Sequence, residues 1–258
     1  MANTCCGGSA PSGRRVKKTA CGGASAAAKP SSACCGEQLS QKEATEQSAA
    51  REECFRAEYV TGRIATPVGD VPQIATKLAW RDRLGTWKCR WDIGRMDYKV
   101  APGLYAVGEP DASSPVLVTA NYKMTFDRLR EQLDGLCLWL VVLDTDGVNV
   151  WCAAGKGTFG TDELVERLRL TQLSKIVSHR TVILPQLGAS GIAAHEAAKR
   201  SGFRVVYGPV RARDVKTFLA SGNAATESMR TVRFTLANRL ALTPVELAGA
   251  FKPMLLAF

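Results

Sequence analysis

The sequence lacks several features that would assign it quickly to a class of protein. Its nine cysteines include no Cys-x-x-Cys pair, the usual signature of a structural zinc site or an iron–sulfur cluster. Their odd number and the absence of a signal peptide predict reduced thiols rather than a disulfide framework. No apolar run approaches the ~20 residues of a membrane-spanning helix. We therefore expect neither a disulfide-rich secreted scaffold nor an internal metal cluster.

Large apolar side chains are almost missing from the first 53 residues, which consist mainly of Ala, Gly, Ser, Lys and Cys. Such a segment cannot bury enough surface to offset its ordering entropy, so we predict a disordered tail over residues 1–53. The tail contains the adjacent pairs Cys5-Cys6 and Cys34-Cys35. These pairs could bind soft metal ions, or the tail could have no function.

The chain has a net charge of +10, and negative charge is in short supply. Residues 1–53 contain seven Lys/Arg and five Asp/Glu, so most of the excess lies in the remainder. An excess of this size favours anionic partners in general. No zinc-finger spacing or aromatic and basic RNA-binding motif is present, so we expect a solvated basic surface and no nucleic-acid partner.

Regular patterning begins at about residue 115, after a Gly- and Pro-punctuated stretch that predicts irregular strands and turns over residues 58–110. Continuous apolar segments then alternate with amphipathic segments of about ten residues. The pattern predicts a Rossmann-like parallel sheet with helices on both faces, within a domain spanning residues 54–240. The predicted strands are 115–121, 136–145, 181–188 and 203–210, and the predicted helices are 125–135, 160–170 (capped by Thr161), 191–202 and 212–222.

Ligands of such sheets bind at the carboxyl ends of the strands. That edge would bring together Thr119, Asn121, Gln186 and Gly188. After the domain, residues 241–258 predict the start of a further helix, with Thr243 as its cap and Pro244 in its first turn. This helix is still apolar where the chain stops.

The stretch "NVWCAAGKGTF" at residues 149–159 allows three interpretations. Residues 155–160 fit the dinucleotide fingerprint G-x-G-x-x-G, but no strand leads into them and no acidic residue ends the next strand. Trp151 and Cys152 could instead be core filler beside a glycine turn. In the third interpretation Asn149 caps a short helix whose first turn holds Cys152, and the positive helix end favours its thiolate as a metal ligand. The small residues that follow would let a large flat ligand lie against that helix.

The segment "NVWCAAGKGTFGT" resembles the cap-helix signature of the mercury-methylating corrinoid proteins, which are relatives of the corrinoid iron–sulfur proteins of the acetyl-CoA pathway. Weaker similarity extends through "TPVGDVPQIATKL", "PVLVTANYKMTFD", "VSHRTVILPQLGA", "SGFRVVYGPVRARD" and "LTPVEL". The chain departs from the family's pattern after residue 240, where members continue into a bundle of membrane-spanning helices. It also lacks the four-cysteine cluster domain of the corrinoid iron–sulfur proteins.

The resemblance implies a cobalamin or related corrinoid cofactor, with Cys152 as both the cobalt ligand and the catalytic residue. It implies methyl transfer from cobalt(III) to mercury(II), which gives methylmercury. One alternative is a corrinoid methyl carrier of one-carbon and acetyl-CoA metabolism, and a second is a non-enzymatic nucleotide-binding module. The expected corrinoid contacts are Asn149, Val150, Trp151, Cys152, Ala153, Ala154, Gly155, Lys156, Gly157, Thr119, Asn121, Gln186 and Gly188.

The same resemblance implies several partners. A ferredoxin-type iron–sulfur protein would supply low-potential electrons, and a corrinoid methyltransferase would supply the methyl group. An anchor beyond the last residue of this chain would hold the protein at the cytoplasmic side of the cell membrane. His179 and His195 are expected to be structural, since neither lies in the Asp-x-His-x-x-Gly context of other cobalamin proteins.

Overall fold

The computed structural model describes residue 52, residues 54–241 and residues 243–256. The tail predicted over residues 1–53, with its paired cysteines, lies outside the described residues except for position 52. No helix in the described part of the chain has the length and apolarity needed to cross a membrane.

Seven strands form one sheet in the order β1-β2-β3-β5-β4-β6-β7. The strands are β1 (Val60–Ile64), β2 (Val71–Ile74), β3 (Gly103–Val107), β4 (Val116–Ala120), β5 (Leu138–Leu143), β6 (Thr181–Leu184) and β7 (Arg204–Tyr207). Strands β4 to β7 are parallel, as the sequence predicts. The sheet as a whole is mixed, because β3 runs antiparallel to β5 and β1 runs antiparallel to β2. Strands β1 to β3 lie in the stretch predicted as irregular strands and turns, for which no strand direction was predicted.

Helices cover both faces of the sheet, as predicted. They are α1 (Trp80–Arg90), α2 (Lys123–Gln132), α3 (Val150–Lys156), α4 (Thr161–Leu170), α5 (Leu173–Ile176), α6 (Ala194–Ser201), α7 (Val215–Ala220), α8 (Glu227–Arg230), α9 (Leu236–Leu240) and α10 (Thr243–Leu256). Alternate residues of β5 point to opposite faces, so Trp139 and Val141 join one core cluster while Leu140 and Val142 join the other. The first core packs against α3 to α6, and the second packs against α2 and α7.

Three local expectations are corrected. The segment predicted as irregular contains an 11-residue helix, α1. The strand predicted over residues 181–188 ends at Leu184, where Pro185 leads into a 3₁₀ turn over Gln186–Gly188. Helix α4 has Gly160 as its N-cap and Thr161 as its first residue. The Thr161 hydroxyl accepts a hydrogen bond from the Ala193 amide instead, which joins two loops of the same edge.

The carboxyl ends of β4 to β7 lie at a single edge of the sheet. In the sheet, β5 lies on one side of β4 and β6 lies on its other side. The chain therefore runs from β4 to β5 in one direction and then crosses back over β4 to reach β6. A reversal of this kind opens a crevice at the carboxyl ends of the strands, which is where doubly wound sheets bind ligands. Helix α3 starts beside this crevice, directly after the loop that follows β5.

Candidate functional site

Asn149 caps helix α3, as the sequence predicts. Its side-chain Oδ1 accepts a hydrogen bond from the Cys152 amide at 3.0 Å. Its Nδ2 lies 3.4 Å from the Cys152 Sγ and donates to the sulfur. Gly157, at φ +85°, ends the helix in the left-handed conformation that glycine adopts without strain. One side chain therefore fixes both the first turn of α3 and the direction of the thiol.

The outer side of α3 is exposed, and it includes Cys152. The core-filler interpretation is wrong for Cys152 and also for Trp151, whose exposed ring lies 6.1 Å from the Phe234 ring. Gly155 and Gly157 share this outer side, and a Cβ added at either would have no neighbour within 4 Å among the described residues. Open space thus adjoins the thiol. Lys156 is exposed at the same end of the helix.

The inner side of α3 packs closely because its residues are small. Ala153 and Ala154 are buried in the core. The loop after β6 approaches so closely that a Cβ on Gly191 would lie 2.9 Å from the Ala154 Cα and would also collide with the Phe159 carbonyl. A Cβ on Gly188 would collide with the Phe159 ring. Gly191 therefore lets the loop after β6 pack closely against α3, and Gly188 leaves room for the Phe159 ring just after that helix.

Asn121, at the end of β4, holds the loop that leads into α3. Its Oδ1 accepts hydrogen bonds from the amides of Thr145 and Gly147 and from the Thr145 hydroxyl, and its Nδ2 donates to Asp144. The side chain is buried. All of these contacts lie within the protein, so Asn121 supports the position of α3. A direct contact between Asn121 and a cofactor stays a prediction.

A cavity of about 460 Å³ opens at this edge on the face covered by α2 and α7. Its lining includes Leu117, Val118 and Thr119 of β4, together with Asn149, Val150 and Trp151 at the start of α3. The volume is in the usual range for small-molecule sites. Cys152 is not part of the lining. A ligand that reached both the thiol and the cavity would therefore extend around the first turn of α3.

The sequence-predicted residues thus fall into separate groups. Thr119 and the first residues of α3 line the cavity, whereas Gln186 lies in the 3₁₀ turn and accepts a hydrogen bond from Arg230. His179 bonds to the Ser114 carbonyl and to the Thr181 amide at the opposite edge of the sheet, which is a structural role. His195 is exposed on α6.

Sequence reasoning missed the polar and basic part of the cavity. Arg90, Arg95 and Arg128 line it, and so does Tyr122. Burial and a 3.0 Å hydrogen bond with the Cys89 thiol raise the pKa of Tyr122, so its hydroxyl is protonated at neutral pH. The arginines come from α1, from the loop that follows it and from α2, and no local motif connects them. The positive net charge of the chain was the one feature of the sequence that pointed to a basic site.

A family model described as CO dehydrogenase/acetyl-CoA synthase delta subunit matches residues 80–219, just over half of the chain. Among curated proteins, subunit gamma 2 of the acetyl-CoA decarbonylase/synthase complex of Methanosarcina thermophila is 37% identical over 111 residues, which are 42% of this chain and 23% of that protein. Subunit gamma of the Methanocaldococcus jannaschii complex is 32% identical over 134 residues, 51% of this chain and 27% of that protein.

Subunit gamma of the same complex from Archaeoglobus fulgidus is 31% identical over 127 residues, 48% of this chain and 27% of that protein. The chain spans about a quarter of the length of these relatives. The family match includes the strands, loops and helices that form the cavity and carry Cys152. This chain belongs to the CO dehydrogenase/acetyl-CoA synthase delta subunit family.

Proposed function

We propose that this chain is a corrinoid-binding methyl carrier that acts in methyl transfer to a one-carbon or acetyl-CoA-forming acceptor. The observation that carries the proposal is the exposed Cys152 thiol on the first turn of α3, beside a cavity at the carboxyl edge. The family match and the acetyl-CoA decarbonylase/synthase relatives support this acceptor over mercury(II).

The residues around α3 fit a large ligand that carries its own metal. A macrocycle supplies most of the donors to its metal, so a single protein ligand such as the Cys152 sulfur is enough. The outer side of α3 next to that sulfur is open in the described part of the chain, since a Cβ at Gly155 or Gly157 would meet no atom there within 4 Å. The adjacent cavity, with apolar walls and arginines in its lining, suits the nucleotide end of a corrinoid.

The protein's own residues would position the ligand and protect it from water. Asn149 Nδ2 donates to the Cys152 sulfur and keeps it directed away from the core. Trp151 and Phe234 form an aromatic edge beside the thiol. When bound, the corrinoid would supply a cobalt that accepts and releases methyl groups, and the Cys152 sulfur would be the protein ligand that tunes it.

Methyl transfer to mercury(II) is the second candidate function, and the chemistry of Cys152 favours it. An electrophile such as mercury(II) needs the methyl group as a carbanion equivalent. An anionic sulfur donor favours that form of release more than a neutral imidazole does. The resemblance of residues 149–161 to the cap-helix signature of the mercury-methylating proteins agrees with this candidate. A ferredoxin-type reductant, a methyl-donor methyltransferase and a location at the cytoplasmic side of the membrane belong to the proposal as well.

The test compares Cys152→Ala with Cys137→Ala, which removes the other exposed thiol of the described residues. Cys137 lies just before β5, at the opposite edge of the sheet, so its loss should change nothing. With added cobalamin, Cys152→Ala should shift the visible spectrum and abolish methyl transfer, whereas Cys152→His should retain the cofactor and transfer the methyl group poorly.

Assays with a one-carbon acceptor and with mercury(II) then separate the two candidate functions. Wild-type spectrum and activity in Cys152→Ala would refute cobalt ligation, and a chain that binds NAD but ignores cobalamin would favour a nucleotide-binding module.

A further inference from the structure

Helix α1 and its C-cap residue Trp91 present an aromatic stripe to solvent, which we call the tryptophan stripe: Trp80, Leu84, Trp87 and Trp91. At 3.6 residues per turn these positions fall within about 60° of one another, so they form one line along the helix. The exposed fractions of Trp80 and Trp87 are 68% and 55%. The large exposed side chains of Ile93 and Met96 follow the tryptophan stripe in the sequence. A soluble helix normally turns such a stripe inward.

The orientation of α1 is fixed by its inner side, which is polar. Asp82 binds Arg130 at 2.7 Å and Lys123 at 2.6 Å. Cys89, fully buried, binds the Tyr122 hydroxyl. Because these contacts hold α1 from within, the tryptophan stripe faces outward as a built feature of the fold.

The charges on α1 complement an anionic surface. Arg81 and Lys88 lie along one side of the tryptophan stripe and Arg83 along the other, and all three are exposed. Arg81 is paired with Glu58. The one acidic residue of α1 is Asp82, which is turned inward. The outward charge that α1 itself contributes is therefore entirely positive.

We propose that α1 lies flat in the interface of an anionic lipid bilayer. Tryptophan rings favour the headgroup level, where the ring is in apolar surroundings and its N–H remains hydrated. Basic side chains on both long sides of an apolar line can extend to lipid phosphates while their stems stay in the apolar layer. A single convex helix with this arrangement suits a planar surface better than a protein groove. The inference does not depend on the proposed methyl transfer.

The experiment uses the full chain and two kinds of vesicle, one of phosphatidylcholine alone and one with about 30% phosphatidylglycerol, which supplies the negative surface potential. Co-sedimentation and tryptophan fluorescence report binding. We expect binding to the anionic vesicles, a blue shift of the emission, and release at high salt as the charges are screened. Binding to neutral vesicles should be much weaker.

Two double variants test the stripe and its flanking charges separately. Trp87→Ser with Trp91→Ser should abolish the blue shift and most of the binding. Arg83→Gln with Lys88→Gln should weaken binding about 25-fold, since each basic residue near such a surface contributes about fivefold. Leu236→Ser, which replaces another exposed apolar side chain, is the matched control and should bind normally. Circular dichroism verifies that each variant is folded.

Three results would overturn the proposal. The first is no binding to the anionic vesicles, and the second is undiminished binding by both double variants. The third is self-association without lipid that the tryptophan variant abolishes, because it would assign the stripe to contact between copies of this chain. None of these results bears on Cys152, whose role is measured by the cobalamin spectrum.

Discussion

Helices α1 and α3 both border the cavity, and both expose a face that is unusual for a soluble protein. They are held in opposite ways. Helix α1 is attached through buried charges, with Arg130 fully buried between Asp82 and Asp127. Helix α3 is attached through small residues and uncharged hydrogen bonds. The difference indicates that the attachment of α1 depends on electrostatics and that of α3 on close packing. A change of pH or the loss of a charged partner should therefore loosen α1 more than α3.

The largest expected effect is that of Asp82→Asn. The substitution removes the carboxylate that binds Arg130 and Lys123, and it leaves their charges partly unpaired in the interior. We expect the free energy of unfolding to fall by about 3 kcal/mol, as for other broken buried pairs. Urea denaturation measures this loss. The alkylation rate of Cys152 should be unchanged, and a loss below about 1 kcal/mol would contradict the importance of the charges.

The same substitution should change the response to acid. Burial acts to raise the pKa of Asp82, but the hydrogen bond and charge of Lys123 and the charge of Arg130 outweigh burial and lower it. A lowered pKa means that Asp82 stabilises the fold above its unfolded pKa of about 4, and that this contribution is lost as the pH falls through the native value. Asp82→Asn should lack this component of the acid unfolding curve.

A smaller effect is expected for Asn121→Ala, on the α3 side of the comparison. It would leave the Thr145 and Gly147 amides without their acceptor in a buried loop. We expect a loss of about 2 kcal/mol, together with faster alkylation of Cys152 as α3 loosens. Hydrogen exchange resolved by peptide would localise the change to residues 144–157. Equal exchange changes in α1 would contradict the independence of the two helices.

The smallest effect is expected for Asn149. Asn149→Ala removes the N-cap and should cost about 1 kcal/mol. Asn149→Asp keeps an acceptor for the Cys152 amide but loses the donor to the sulfur. Its stability should match wild type while the alkylation rate at Cys152 changes. Mass spectrometry of the Cys152 and Cys137 peptides provides the measurement and its internal control, and equal changes at both thiols would contradict a specific role for Asn149.

Features with a local signal could be predicted from the sequence. Buried β5 was evident from its continuous apolar run, and the N-cap of α3 from Asn149 alone. Helix α1 was missed because it lies in a stretch punctuated by Gly and Pro, and because its stabilising partner Arg130 lies 48 residues away from Asp82. The antiparallel pairing of β3 was missed for a similar reason, since strand direction depends on partners distant in sequence.

The turn that connects β3 to β4 is at the edge of the sheet remote from the cavity. The Asp111 carboxylate accepts hydrogen bonds from the Ser113 amide and from the hydroxyls of Ser113 and Ser114. The Asp111 carbonyl accepts from the Trp139 indole. A rigid turn in that position is a natural attachment point for a biosensor surface or an optical label. A protein immobilised there would keep its carboxyl edge turned toward the solution, so that the binding of an added ligand at that edge could be timed directly.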